Sequence, residues 1–119
     1  MHELSFAEDI LRIVEEVAGS PQRIASVHVT VGPLSGISAD SLRFCFGEVA
    51  EAKGFGSTRL IIEESMAKVG CSDCLFEFEA KTFHNGCPRC RSFNTTVLSG
   101  HEFTVDWVEL DDGDNVSKQ

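Results

Sequence analysis

The sequence predicts an α+β fold in which two helices pack on a small antiparallel or mixed sheet of about three strands. Two segments repeat apolar residues at three- and four-residue steps, as amphipathic helices do. Three shorter segments alternate or concentrate apolar residues, as strands do. Four cysteines in two Cys-x2-Cys pairs lie between the second and third of these strands. The cysteines therefore belong to a module inserted into the α+β body.

The first predicted helix covers residues 4–18. Ser5 and Glu8 have the spacing of a capping box at its start, and Gly19 opens the Gly-Ser-Pro sequence that ends it. Its apolar face follows helical steps through Leu4, Ala7, Ile10, Leu11, Val14, Val17 and Ala18.

The first predicted strand covers residues 26–32. Three valines alternate there with three polar residues, in the order Ser26, Val27, His28, Val29, Thr30, Val31. This period of two indicates a strand with one face buried and the other exposed to solvent. We interpret His28 as a residue of the polar face without a special role.

The second predicted helix runs to about residue 53 and starts at Ser38 or Asp40, either of which can cap it. Its apolar stripe consists of Leu42, Cys45, Phe46, Val49 and Ala50. Because Cys45 lies on that stripe, we interpret it as a small buried apolar side chain rather than a metal ligand or a nucleophile.

Two further strands complete the predicted sheet. One covers about residues 58–64, with Leu60, Ile61 and Ile62 at its centre, and the other covers residues 102–110. We expect Phe103, Val105 and Trp107 to share one face of the latter, following its period of two.

The predicted division of the chain follows from these elements. Residues 1–69 together with 100–110 form the body, and residues 70–99 form the inserted four-cysteine domain. Residues 111–119 are acidic and offer almost no apolar side chain to bury, so they are predicted to be a disordered tail.

The four cysteines have the spacing of a zinc site: Cys71-x2-Cys74, twelve intervening residues, then Cys87-x2-Cys90. Two residues between paired cysteines let both sulfurs reach one ion, and four thiolates suit tetrahedral Zn²⁺. The gap is slightly shorter than the 15–20 residues usual for such pairs, but a short hairpin can span it. The sequence therefore predicts a structural zinc ribbon, with a redox or disulfide framework and an iron site as alternatives.

Composition excludes several classes of protein. The net charge of −9 disfavours nucleic acid as a partner. No stretch of 18 apolar residues suggests a membrane span, and the first residues do not look like a secretion signal. An odd count of five cysteines does not fit a secreted disulfide scaffold. We therefore expect a cytoplasmic location.

No catalytic constellation stands out: the chain has no Gly-rich phosphate loop and no nucleophile elbow. A zinc ion with four thiolate ligands keeps no open position for hydrolysis. His84 and His101 flank the second cysteine pair and are alternative ligands, although we interpret both as surface residues. We do not expect an enzyme.

Met1, His2 and Glu3 form a candidate chelate for a second metal. A free α-amine, the His2 backbone nitrogen and the His2 imidazole close a five- and a six-membered ring on one ion. With a fourth donor from Glu3, this set suits the square-planar preference of Ni(II) or Cu(II). A histidine also follows methionine by chance, so the motif by itself does not decide for a metal.

Three stretches together closely resemble the HypA/HybF family of hydrogenase maturation nickel chaperones. They are the start Met1-His2-Glu3-Leu4-Ser5, the strand Val27-His28-Val29-Thr30-Val31-Gly32, and Cys71-x2-Cys74 with Cys87-Pro88-x-Cys90. The resemblance runs over nearly the whole chain to Leu110. The chain departs from the family at Arg91, where Gly commonly follows the last cysteine. A residue other than Gly tolerates positive φ poorly, so strain is expected in that turn.

The resemblance implies a nickel-binding α/β domain that carries an inserted zinc-binding domain. It implies delivery of Ni(II), as transient cargo, to the large-subunit precursor of a [NiFe]-hydrogenase, together with a GTPase partner similar to HypB. His2 would be the essential nickel ligand and Glu3 would tune the site or its delivery, while the four cysteines would hold structural Zn(II).

From the residues alone, two other functions stay open. One is a zinc-ribbon protein-interaction module of another assembly pathway, and the other is a thiol redox protein that cycles two of the four cysteines. Nickel titration distinguishes the interaction module from a nickel carrier. Metal content together with free-thiol counting distinguishes the redox protein from both. The sequence leaves both a monomer and a homodimer open.

Overall fold

The computed structural model describes residues 2–19, 24–81, 86–111 and 115–117, and the α+β fold with its inserted module is confirmed. Neither helix in these ranges is long and apolar enough to cross a membrane. The elements are α1 (His2–Ala18), β1 (Ile24–Val31), α2 (Ala39–Ala52), β2 (Arg59–Glu64), β3 (Ala67–Cys71), β4 (Glu77–Ala80), β5 (Thr95–Ser99), β6 (Phe103–Leu110) and β7 (Asn115–Ser117).

The body is built on a mixed four-stranded sheet in the order β2-β1-β6-β7. Strands β1 and β2 are parallel, which requires a crossover connection, and α2 supplies it. Strand β6 is antiparallel to β1 and β7. Since β2 and β6 both flank β1, the module between them interrupts one sheet, as predicted.

Both helices pack on one face of this sheet. Cys45 is buried in that core, as expected for a small apolar side chain. The buried residues of the core are Ala7, Ile10, Leu11, Val14, Ile24, Val27, Val29, Val31, Leu42, Cys45, Phe46, Ala50, Phe55, Val105, Val108 and Leu110.

Helix α2 begins as predicted, whereas helix α1 does not. Ser38 is the N-cap of α2, and its hydroxyl accepts the backbone N–H of Ser41 at 3.3 Å. Helix α1 begins at His2, so Ser5 lies inside the helix and the predicted capping box is wrong. His2 and Glu3 therefore belong to the first turn of α1, whose N–H groups have no partner within the helix.

Strand β6 contains a β-bulge that changes which residues face the core. Val105 pairs with Val29, but Trp107 pairs with the adjacent His28, so β6 has one extra residue at this point. A bulge breaks the period of two. Trp107 consequently stacks on His28, away from the core, whereas Phe103 and Val105 pack in or against it. The prediction that all three share one face is wrong.

The end of the chain also differs from the predicted disordered tail. Residues 115–117 form β7, which pairs with β6 through Val108↔Val116 and its neighbours. The reason is that an edge strand offers unpaired backbone groups, which a short strand can satisfy without an apolar anchor. Residues 112–114 and 118–119 lie outside the described residues.

The inserted module has its own antiparallel sheet, in the order β4-β3-β5. This sheet begins at Ala67, slightly before the predicted boundary at residue 70. Where the chain returns to the body, the carbonyls of Gly100 and Glu102 accept the N–H groups of Leu34 and Gly32 at 2.7 and 2.8 Å. A Cβ on Gly32 would lie 2.2 Å from the Gly100 carbonyl oxygen, so this close approach requires glycine. The loop that leads from β1 to α2 is thus hydrogen-bonded to the segment that connects the module to β6.

Candidate metal centres

The four cysteines predicted as zinc ligands converge. All four sulfur atoms lie within 4.8 Å of one another. The Sγ atoms of Cys71 and Cys90 are 3.6 Å apart, as are those of Cys74 and Cys87. A regular tetrahedron with Zn–S bonds of about 2.3 Å has S–S edges of about 3.8 Å. The donor set and its geometry therefore fit one tetrahedral zinc ion.

The two cysteine turns have the same backbone conformation. In the first turn the Cys71 carbonyl accepts the N–H of Leu75 at 3.0 Å, and in the second the Cys87 carbonyl accepts the N–H of Arg91 at 2.8 Å. Leu75 and Arg91 both have φ of 66°, in the left-handed region. Arg91 thus has the positive φ that was expected there, and Leu75 has the same φ in the first turn.

Gly86 is required by the second turn. Its φ is +83°, and a Cβ there would lie 2.7 Å from the Ser92 carbonyl oxygen. That carbonyl accepts the N–H of Cys87 at 2.8 Å, so moving it would disturb the backbone of a ligand residue. Glycine before the second cysteine pair thus has a steric cause.

Asp73 joins the two turns, a role that was not found from the sequence. Its carboxylate accepts the hydroxyl of Ser92 and, at 3.3 Å, the side-chain amide of Asn94. These two hydrogen bonds, with Ser92 the stronger cause, lower the pKa of Asp73. A carboxylate inside a Cys-x2-Cys loop was the only local signal, and its partners are distant in sequence.

The pKa values of Cys87 and Cys90 are shifted in opposite directions. Burial raises the pKa of Cys87, but the N–H groups of Cys90 and Arg89 donate to its sulfur and lower the pKa to about 7. The N–H of Ser92 acts in the same direction on Cys90, yet burial and the surrounding thiols raise that pKa to about 12. Four thiolates at this separation repel one another, so a divalent cation is what would hold all of them deprotonated.

Of the predicted nickel ligands, the structure describes the side chain of Glu3, in the first turn of α1. Glu3 Oε2 accepts the backbone N–H of Ser38, the N-cap of α2, at 3.0 Å. Ser38 also lines a cavity of about 560 Å³ that reaches Lys81 in the inserted module. Met1 and the side chain of His2 lie outside the described residues.

Of the two histidines considered as alternative ligands, the structure describes only His101. His101 is exposed and belongs to no cluster of three or more candidate ligands in the described part of the chain. His84 lies outside the described residues.

Comparison with known proteins decides the family. Residues 1–110 match the family described as hydrogenase/urease nickel incorporation, metallochaperone, HypA. The chain belongs to the HypA family. It is 34% identical over 111 residues to the hydrogenase maturation factor HypA of Geotalea uraniireducens, covering 93% of this chain and 100% of that protein. It is 37% identical over 116 residues to HypA of Chlorobium limicola, covering 96% and 100%.

The fold is also that of solved HypA structures. The solution structure of the nickel metallochaperone HypA from Helicobacter pylori has a TM-score of 0.57 and 23% identity, covering 91% of this chain and 96% of that one. A second HypA solution structure has a TM-score of 0.53 and 20% identity, with 89% coverage of both chains. The resemblance inferred from the sequence is confirmed, and the chain is a nickel metallochaperone of hydrogenase maturation by family.

Proposed function

We propose that this protein binds Ni(II) at its N-terminus and delivers it, in the cytoplasm, to the large-subunit precursor of a [NiFe]-hydrogenase. It acts with a GTPase partner similar to HypB and is a carrier rather than an enzyme. The observation that carries the proposal is membership of the HypA family over residues 1–110, a match that includes the Met1-His2-Glu3 start.

The nickel ligands are the α-amine of Met1 and the backbone and imidazole nitrogens of His2. The position of α1 supports this set, because N–H groups in the first turn of a helix can be given up without losing a helical hydrogen bond. Glu3 tunes the site: its carboxylate accepts the Ser38 N–H, which ties the start of α1 to the start of α2. We expect the chelate to be shallow, because a carrier has to release its metal.

Zinc is structural and is held by Cys71, Cys74, Cys87 and Cys90. The spacing of the four sulfurs supports this assignment. A closed S4 site has no position for water or substrate, so its contribution is to fold the inserted module.

The nickel chelate is tested by calorimetric titration of Ni(II) into the zinc-loaded protein and into His2→Ala, with His101→Ala as a matched control at an exposed histidine. We expect binding to be lost in His2→Ala and kept in His101→Ala. One residue added before Met1 should weaken binding nearly as much as His2→Ala, because it converts the amine into an amide. Zinc content should stay the same in all forms.

The same titration gives the pH dependence of nickel binding. Reference pKa values of about 7.7–8.0 for an α-amine and about 6.5 for an imidazole mean that both donors become protonated as the pH falls from about 8 to 6. Nickel affinity should therefore fall steeply over this window. An unchanged affinity in His2→Ala, or a flat pH profile, would show that other residues bind nickel.

A further inference from the structure

The face of the main sheet opposite the helices is not covered by any element in the described residues. All core residues contributed by β1 and β6 point to the helical side. On the other face, His28 and Trp107 are half-buried and Ile61 is 37% exposed. This open face is defined here by Ser26, His28, Thr30, Asp106, Trp107 and Glu109.

The bulge in β6 concentrates functional groups on the open face. Because it adds a residue between Val105 and Trp107, both Asp106 and Trp107 lie on this side of the sheet. The indole of Trp107 stacks on the imidazole of His28, with ring centroids 3.5 Å apart and planes 11° apart. A pair of stacked rings thus stands beside a carboxylate.

Hydroxyl groups hold both carboxylates of the open face in place. Asp106 accepts Thr30 Oγ1 at 2.5 Å on one oxygen and Thr104 Oγ1 at 2.8 Å on the other. Glu109 Oε1 accepts the hydroxyl of Ser26 at 3.0 Å. Ser26 is fully buried, so this donor cannot turn to water instead.

The aromatic pair is held by the same network. Ser26 Oγ lies 3.1 Å from His28 Nε2, and since its proton goes to Glu109, the contact requires a proton on Nε2. Burial lowers the pKa of His28, while Glu109 partly offsets this and Arg59 adds to it. With His28 neutral, the charged groups around the aromatic pair are the carboxylates of Asp106 and Glu109 and the guanidinium of Arg59. Among the described residues Arg59 makes no salt bridge to Asp106 or Glu109.

This combination matches the chemistry of a guanidinium group. Arginine pairs with carboxylates through a planar fork of donors and stacks on aromatic rings, which lysine does less well. Side chains already fixed by hydrogen bonds lose little conformational entropy on binding. Trp and Arg are also the residues that dominate protein interfaces. The net charge of −9 attracts a basic partner.

We propose that the open face docks an arginine-bearing segment of a protein partner, with the guanidinium against Trp107 and paired with Asp106 or Glu109. The surface is distinct from the nickel chelate, since α1 and its N-terminus pack on the opposite side of the sheet. It therefore leaves the metal accessible while a partner is held.

The test uses the full-length zinc-loaded protein and a capped Arg-Ala-Arg tripeptide as probe. Trp107 is the only tryptophan in the chain, so its fluorescence reports directly on the open face. We expect a saturable change in that fluorescence with the arginine peptide. A lysine peptide should bind roughly tenfold more weakly, and a neutral citrulline peptide should cause no change.

Variants identify the carboxylates. Asp106→Asn and Glu109→Gln keep the side-chain shape. Combined in one variant, they should weaken binding of the arginine peptide by roughly tenfold or more. The matched control is Glu79→Gln, an exposed strand carboxylate of the inserted module, which should have no effect.

Several results would overturn the proposal. They are equal binding of the citrulline or lysine peptide, unchanged binding in the Asp106 and Glu109 variants, and no fluorescence change up to about 10 mM arginine peptide. The peptide comparison uses only the wild-type chain, so it decides the question even where a variant folds poorly.

Discussion

The body and the inserted module are stabilised in different ways. The body buries large side chains from both helices, from β1 and β6 and from the loop after α2, among them Phe46 and Phe55. In the described part of the module, the buried side chains are small: Ala67, Val69, Cys71, Ala80 and Cys87. Burial of apolar area scales with side-chain size, so the body has a hydrophobic core and the module has almost none. The module is the kind of small unit that needs a metal to stay folded.

Cysteine illustrates the difference between the two regions. Cys45 in α2 is buried among apolar side chains of the core and is not one of the four clustered cysteines. Cys87 is equally buried, but it lies 3.6 Å from Cys74 at the centre of the module. The same residue type fills space in one region and is a candidate metal ligand in the other.

The largest expected effect comes from removing a zinc ligand. In Cys87→Ala we expect loss of stoichiometric zinc and unfolding of the module, because apparent zinc-binding free energies of about 10–16 kcal/mol in such peptides are also folding free energies. The body should stay folded. Metal analysis measures the zinc, and amide hydrogen exchange at Val69 and Val27 follows the module and the body separately.

Cys45→Ala is the matched control for this comparison. It removes a buried sulfur from the body, so zinc and Val69 protection should be kept. Full zinc content in Cys87→Ala, or loss of body protection along with the module, would contradict the separation of the two regions.

A smaller effect is expected from truncating the core of the body. Phe55 is 1% exposed, and Phe55→Ala should cost about 3–5 kcal/mol of unfolding free energy. Phe44 lies in the preceding helix α2 but is 71% exposed, so Phe44→Ala should change stability by no more than about 0.5 kcal/mol. Urea unfolding followed by Trp107 fluorescence measures both.

Zinc content should be unchanged in these two variants, because both phenylalanines belong to the body rather than to the module. Similar unfolding free energies for Phe55→Ala and Phe44→Ala would show that burial in this core does not set the stability of the body.

Features with a local period were predictable from the sequence, and features made by distant residues were not. The helical spacing of residues 4–18 and the alternating valines of β1 were sufficient to predict α1 and β1, since each pattern is repeated over many residues. The paired cysteines were equally informative, because two short loops contain all four ligands. By contrast, β7 is a three-residue strand without a period of its own, and it pairs with the edge of β6.

The bulge in β6 shows why the open face was not foreseen. The period of two predicted that Trp107 shares one face with Phe103 and Val105, and one extra residue in β6 places it on the opposite face. Likewise, nothing near Asp73 in sequence identifies Ser92 as its partner. The nickel chelate stays a prediction, because it depends on Met1 and on the side chain of His2.

The smallest expected effect concerns the backbone of the two cysteine turns. Leu75 and Arg91 occupy the left-handed region at φ of 66°, where a side chain costs on the order of 1 kcal/mol or more. Glycine removes that strain but adds freedom to the unfolded chain. We therefore expect Arg91→Gly to stabilise the module by at most about 1 kcal/mol, which is about a fivefold gain in apparent zinc affinity.

Arg89→Gly is the control for this last comparison, because it removes an arginine from the same turn at a position without positive φ. The guanidinium of Arg89 lies over the ring of Phe76, at 5.7 Å from its centroid, and its loss should weaken the module slightly. Competition with a zinc chelator measures the two variants and Leu75→Gly side by side. Since the two turns share one conformation, Leu75→Gly should match Arg91→Gly. A gain in only one of them would mean that the turns carry unequal strain, and a loss in both would mean that the freedom of glycine outweighs the strain it relieves.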